Sequence, residues 1–310
     1  MMAYKIPRRK FFTDVGISTA GLLLGGSLAG CSTKEKSCMS SYNIMDEVMR
    51  YRKIDAHEHV NLHSGGPEVQ IDYADRLGIE KLVVSRPVVA GIAAPEEFRH
   101  CNDLVINAMK LYPDRFLGQL TLNPTYEKES LEEIKRCTNQ GMVGIKVYFQ
   151  VKINDPLFYP IIEKAIEQNL LILMHSYCQL GMAGYRMKYD TGLYPNTSLP
   201  EDFVDVALRY PEAMLQYAHT GGGGDWEYAI KTIKDYPNIY VDTSGSNNAA
   251  GMIDYAMENL GEDRLFFGTD SSYYQGVGNI LASNLNEAQR KKVFFENYNN
   301  ILRKRGNNVS

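Results

Sequence analysis

Ile54-Asp55-Ala56-His57-Glu58-His59 places an apolar residue, a carboxylate and two histidines at close intervals. As a β-strand the run has a side-chain period of two, which predicts that Asp55, His57 and His59 share one side. Seven further short apolar runs follow: Lys81 to Ser85, Phe116 to Thr121, Val143 to Tyr148, Leu170 to His175, Met214 to His219, Asn238 to Asp242 and Leu265 to Asp270. Between them lie helix-period stretches such as Phe98/Cys101/Val105/Ala108/Met109 and Ile161/Ile162/Ala165/Ile166, and a last helix is predicted from Asn286 to Arg303. Strands alternating with helices predict an α/β fold with a parallel sheet. Eight such units within residues 50–310 fit a (β/α)8 TIM barrel, a single domain.

A barrel of this kind carries its active site where strands end and loops begin. Of six histidines, His57 and His59 close strand one, His175 closes strand five and His219 closes strand six, while Asp270 closes strand eight. The same period of two groups Leu171, Leu173 and His175, and likewise Leu215, Tyr217 and His219, with each histidine aimed into the barrel mouth. Several neutral imidazoles and a carboxylate in a dry pocket call for a divalent cation. Three His and one Asp without a thiolate suit zinc first, with manganese or iron as the alternatives. A zincin site is ruled out, because His59 and His63 are four apart but Val60 stands where HExxH needs Glu. His63, just beyond strand one, either reaches substrate or, as the favoured reading, is a solvated loop residue, and His100, inside the second helical stretch, has no assigned role.

The Asp55-Ala56-His57-Glu58-His59 run resembles the D-x-H-x-H opening of the amidohydrolase superfamily. Met174-His175, Ala218-His219-Thr220-Gly221-Gly222 and Phe267-Gly268-Thr269-Asp270 resemble the signatures of its amidohydrolase-related branch, in order, over residues 54 to 303. That resemblance implies His57, His59, His175 and Asp270 as ligands of one metal, with His219 orienting water or substrate. It also implies a choice between hydrolases of small esters, lactones or amides and non-oxidative decarboxylases related to aminocarboxymuconate-semialdehyde decarboxylase. The leading expectation is a hydrolase in which Asp270 takes the proton of a metal-activated water and His219 stabilises the oxyanion. A decarboxylase of a small carboxylic acid is the alternative, and a catalytically silent binding protein is the third.

In Gly144-Ile145-Lys146-Val147-Tyr148, Val143, Ile145 and Val147 take one face, so Lys146 and Tyr148 share the other and look into the barrel. A buried ammonium must be paired. Lys146 either faces substrate or bonds a carboxylate such as Asp55, and in binuclear members of the superfamily a carboxylated lysine at this place bridges two metals. Arg86, after strand two, is a candidate clamp for a substrate carboxylate. Tyr177, Tyr185, Arg186, Tyr273 and Tyr274 lie in loops at the mouth, where they line a pocket or pack the loops, and Cys178 has no base fixed beside it. Gly221 to Gly224 is not GxGxxG and reads as a close-packed turn.

The N-terminus is of another character. Arg8-Arg9-Lys10-Phe11-Phe12 before an apolar, small-residue stretch ending Leu28-Ala29-Gly30-Cys31 resembles a twin-arginine signal with a lipobox. Residues 1–30 are therefore expected to be removed, Cys31 lipidated, and residues 31–49 to act as a tether holding an exported enzyme at a bacterial membrane. Over all 310 residues, 44% hydrophobic and 23% charged residues are a globular composition. The net charge of −4 divides into +3 over the first thirty residues and −7 over the rest, which leaves no electrostatic footprint for nucleic acid. Five cysteines at irregular spacing, without CxxC, give no disulfide framework and no thiolate zinc site. The expected partner is a small-molecule substrate.

Overall fold

The computed structural model describes residues 43–60, 66–88, 93–176, 196–220, 225–245, 249 and 251–310. Its strands are β1 (Lys53–His59), β2 (Ile79–Ser85), β3 (Phe116–Thr121), β4 (Gly144–Val147), β5 (Leu171–Met174), β6 (Met214–Tyr217), β7 (Ile239–Asp242) and β8 (Leu265–Phe266). They lie side by side in sequence order and every ladder is parallel. Helices α1 (Ile44–Arg50), α2 (Pro67–Leu77), α3 (Pro95–Leu111), α4 (Glu127–Thr138), α5 (Tyr159–Glu167), α6 (Pro200–Arg209), α7 (Trp226–Ile233), α8 (Met252–Leu260) and α9 (Tyr273–Ala282) alternate with them, and α10 (Glu287–Lys291) and α11 (Asn297–Arg303) follow. This is the expected TIM barrel, nearly closed. Across its seam, Ala56 N donates to Phe267 O at 2.8 Å and Asp270 N to His57 O at 2.8 Å. Among the described residues no helix is long and apolar enough to cross a membrane.

Strand alternation sorts the core into two layers. Leu82, Val84, Ile145, Val147, Ile172 and Met174 face outward and pack with Val105, Ile161, Phe203 and Ile230 of the helices. Ile54, Val83, Leu171, Met214 and Phe266 form the barrel floor, closed from below by Phe295, Tyr298, Ile301 and Leu302; Val143, ahead of β4, packs there too. Burial of this apolar surface is the main driving force for the fold.

Two expected facings are corrected. Leu215 and Tyr217 belong to the outer layer, and Gln216 is the inward residue of β6, donating from Nε2 to Asp242 Oδ2 at 2.8 Å. His219 reaches the mouth because it lies beyond the strand in the left-handed region, at φ 62°. On β1 the register runs Asp55↔Leu82 and Glu58↔Val84, three steps against two. That extra residue is a β-bulge, which resets the alternation. Asp55 and Glu58 therefore align with outward Leu82 and Val84, while His57 and His59 turn inward.

The expected single C-terminal helix is interrupted by a π-turn over Lys292–Glu296. The altered hydrogen bonding has a use: Val293 O accepts Phe267 N at 3.0 Å, and Asn297 Nδ2 donates to Leu265 O at 2.9 Å. Both ends of β8 are thus keyed to this helix. Beside the same turn, Lys53 is fully buried over the Phe294 ring, and its Nζ donates to Val48 O at 2.6 Å and Tyr51 O at 2.8 Å, tying down the end of α1.

Candidate active site

The side chains at the C-terminal strand ends converge on His57. Its Nδ1 lies 3.1 Å from Asp242 Oδ2 and its Nε2 accepts from Lys146 Nζ at 3.1 Å. His59 places Nδ1 2.9 Å from Ser85 Oγ, and Nε2 3.2 Å from both Asp270 Oδ1 and the Tyr148 hydroxyl. His219 has Nδ1 3.0 Å from Ser244 Oγ and 3.7 Å from Asp270 Oδ2, and Nε2 3.0 Å from His175 Nδ1. Gly268 makes this approach possible, since a Cβ there would sit 3.1 Å from His57 Cβ and 3.2 Å from Asp242 Cβ. His219, Asp270 and Ser271 all have positive φ, and such strain at non-glycine residues persists only where surrounding contacts hold it.

Burial sets the charges. It pushes His59 down to about 4 and His219 down to about 3, against the upward pull of Asp270, and His175 well below its usual value. Burial alone would raise Asp270 and Asp242. The hydrogen bond from His59 and the histidine charges outweigh it at Asp270, and His57, His219 and Ser244 outweigh it at Asp242, so both carboxyls stay well below the usual carboxylate range. Burial also brings Lys146 down to about 8, opposed by Asp270 and Asp242. Neutral imidazoles beside ionised carboxylates form a donor set made for a cation.

Two trios bring their ligand atoms within 4.8 Å of one another: His57, His59 and Asp270, and His57, His219 and Asp242. The first is the better metal site. Asp242 already accepts from His57, Gln216, His219 N, Ser244 N and Ser244 Oγ, more donors than its roughly four lone-pair sites. Asp270, whose side chain is 30% exposed, is met only by histidines and is turned to the mouth.

Of the residues singled out from sequence, His57, His59 and Asp270 come together as one ligand trio. His175 joins His219 instead and belongs to neither trio. Lys146 and Tyr148 do look inward, but Asp55 is not the partner of Lys146, because the bulge turns it away; the carboxylates near the ammonium are Asp270 and Asp242. Arg86 lies past β2, half-buried, and donates to Val60 O at 3.3 Å. Cys31, His63, Tyr177, Cys178, Tyr185, Arg186 and Gly221 to Gly224 fall outside the described residues. Sequence reasoning passed over Asp242, although it closes the seventh expected strand and the strand-end rule applied to the other histidines and Asp270 would have found it. Ser85, the closing residue of strand two, was open to the same reading.

The family described as Amidohydrolase matches residues 54–297. The 2-amino-3-carboxymuconate-6-semialdehyde decarboxylase of Dictyostelium discoideum is 25% identical, over 69% of this chain and 62% of its own length. The gamma-resorcylate decarboxylase of Polaromonas sp. is 25% identical, over 74% of this chain and 85% of its own. A solved dihydroxybenzoic acid decarboxylase from Polaromonas sp., with bound manganese and the inhibitor 2-nitroresorcinol, superposes at TM-score 0.63 with 18% identity, covering 82% of this chain and 97% of that one.

Proposed function

Because this chain belongs to the amidohydrolase family of enzymes, we propose that its barrel mouth carries out the non-oxidative decarboxylation of a small carboxylic acid. The likeness to two decarboxylases carries this reading over the hydrolysis expected from the sequence. A divalent cation held by His57, His59 and Asp270 would supply Lewis-acid polarisation of the substrate's oxygens, manganese being the ion bound by one similar structure. His219 and His175 complete the wall of imidazoles beside it.

The chain's own groups do the rest. Lys146 Nζ, an ammonium at neutral pH, and the Arg86 guanidinium offer positive charge to the substrate carboxylate. The Tyr148 hydroxyl, which burial keeps protonated, donates a hydrogen bond. Breaking the bond to the carboxyl carbon leaves its electron pair on the neighbouring carbon. Asp270, the ionised carboxylate turned to the mouth, takes a proton from water and passes it to that carbon, so the substrate carboxylate and water give the protonated product, carbon dioxide and hydroxide, a net uptake of one proton. Carbon dioxide release measured beside substrate loss, over a panel of hydroxybenzoic and small unsaturated acids and of esters and lactones, tests this. Equal release supports it, whereas ester or lactone cleavage without carbon dioxide restores the hydrolase.

We further propose export through the twin-arginine motif and acylation at Cys31, so that the enzyme works while anchored in a bacterial envelope. The Arg8-Arg9 pair and the Leu28-Ala29-Gly30-Cys31 sequence support this. Arg8→Lys with Arg9→Lys should retain unprocessed precursor in the cell, and Cys31→Ala should abolish lipid labelling; normal processing and labelling in both would end this reading.

A further inference from the structure

Among the described residues, β1 and β8 are the one pair of neighbours in the barrel without a ladder of their own. Two backbone hydrogen bonds cross that seam, and so do two buried carboxylates from the outward side of the bulged strand. Asp55 accepts Thr269 N at 3.0 Å, Thr269 Oγ1 at 2.5 Å and His57 N at 3.1 Å. Glu58, 1% exposed, accepts His59 N at 2.7 Å, Ser271 Oγ at 3.0 Å, Ser271 N at 3.2 Å and Thr269 Oγ1 at 3.3 Å. The Tyr273 hydroxyl also donates to it, and the same oxygen receives Gln70 Nε2 at 3.3 Å.

The position of Glu58 is unusual for what lies on either side of it. One of its acceptor contacts is the backbone of His59, and two are on Ser271, the neighbour of Asp270. Asp270 and Ser271 are consecutive residues in the left-handed region, at φ 46° and 70°. Without a side chain or ligand to hold them, two such residues would relax toward ordinary backbone. Relaxation would carry the Asp270 carboxylate away from His59 Nε2, 3.2 Å off. Glu58 makes no hydrogen bond with that carboxylate, though the two acidic groups repel one another, and it faces the opposite side of β1.

We infer that Glu58 is a positioning residue: clamped between His59 N and Ser271, it holds the strained Asp270–Ser271 turn so that Asp270 meets His57 and His59 at metal-binding distance. The inference rests on the metal site proposed above. It gives the Glu of His-Glu-His a role at the back of the strand, where it sets metal affinity without being a ligand.

The test is Mn²⁺ titration of chelator-stripped protein, followed by the paramagnetic resonance of free Mn²⁺, beside thermal melts without metal. Glu58→Gln turns an amide N–H₂ toward donors and should weaken Mn²⁺ binding by about tenfold or more, the usual effect of losing a group that orients a ligand. Glu133→Gln is the control, because Glu133 is equally buried but bonds Asn102 and Arg136 between α3 and α4, and through Asn102 it is joined to the end of β3 and not to β1 or β8. It should lower the melting temperature and leave Mn²⁺ affinity alone. Should Glu58→Gln fail to fold, Ser271→Ala removes one of the clamp's bonds and keeps the carboxylate, and a severalfold weaker affinity is expected. Wild-type affinity in Glu58→Gln or in Ser271→Ala, or equal weakening in Glu133→Gln, overturns the inference. A wild-type protein that binds no Mn²⁺ would sink the metal site itself, and the clamp with it.

Discussion

Asp242→Asn isolates the role of a residue that touches no solvent and, in our assignment, no metal. The substitution keeps shape and removes charge. An amide has one acceptor oxygen, and the better of its two orientations points that oxygen at His219 N, Ser244 N and Ser244 Oγ. Its N–H₂ then faces Gln216 and His57. Gln216 adapts by turning over, because its Oε1 has no partner and accepts readily. His57 Nδ1 lies 3.1 Å from both Asp242 Oδ2 and Ser244 Oγ; facing the amide, Nδ1 becomes the acceptor, which moves its proton to Nε2. That proton points at the Lys146 ammonium 3.1 Å away and removes the lone pair a metal needs. Losing the charged hydrogen bond should destabilise the fold by about 1.5–3 kcal/mol. Metal affinity should fall by about 10- to 100-fold, or roughly 1.4–2.8 kcal/mol. Calorimetric Mn²⁺ titration gives the second figure, and nitrogen chemical shifts of the His57 ring report the tautomer directly. Affinity within about threefold of wild type, or a His57 that keeps its proton on Nδ1, would show that Asp242 does not orient this ligand.

Three more outcomes follow from the same coordinates. Gly268→Ala places a methyl 3.1 Å from His57 Cβ and 3.2 Å from Asp242 Cβ; overpacking of about 1–3 kcal/mol should appear in urea unfolding, and an unchanged midpoint would mean the strand ends can give way. Lys146→Met should leave Mn²⁺ affinity equal or tighter, since a like charge is gone, while kcat/KM for the carboxylate falls by about a hundredfold, the loss of one charged hydrogen bond; full activity would remove Lys146 from the reaction. Burial lowers Lys53 from 10.5 to about 8. Below the folded value both states are charged and the burial penalty is complete. From pH 8 toward 10.5 the unfolded chain binds more protons, so stability rises with pH and the penalty is relieved by about 3 kcal/mol. Relative to Lys53→Met, wild type should therefore gain over that interval in denaturant melts, and a parallel pair of curves would contradict the buried ammonium.

The eight strands were legible because each apolar run is short, separated by helix-period sequence and closed by a polar residue. Period-two reasoning held on β4 and β5, where Lys146 and Leu171 point inward, since those strands are regular. It failed where the backbone departs from a plain strand. The bulge after Asp55 depends on pairing with β2, and the left-handed turn at His219 depends on contacts with Ser244 and Asp242; neither leaves a mark in a sequence pattern. The π-turn was hidden for a related reason: the helical period continues through Lys292–Glu296, and what widens the turn is a strand end, Phe267, that needs an acceptor. His57, His59, His175, His219 and Asp270 stand out as strand-end residues from type and position, while the choice of ligands among them came from the family resemblance. The second set that holds them, Asp242, Glu58 and Ser244, is recognisable only once distances exist.

Among the described residues, the packed floor of the barrel closes its lower end. Phe295, Tyr298, Ile301 and Leu302 stopper the lower end against Ile54, Leu171 and Phe266. For a reaction that splits one molecule into two, traffic is then sequential. Under the proposed decarboxylation, carbon dioxide, the remaining product, the incoming proton and the next substrate all use the mouth at the C-terminal strand ends, from which the loops after the strands begin. Carbon dioxide is small and uncharged and leaves past a bound product, whereas the larger product must clear the mouth before another acid enters. Changes to those loops should thus alter turnover without touching any residue that performs the chemistry.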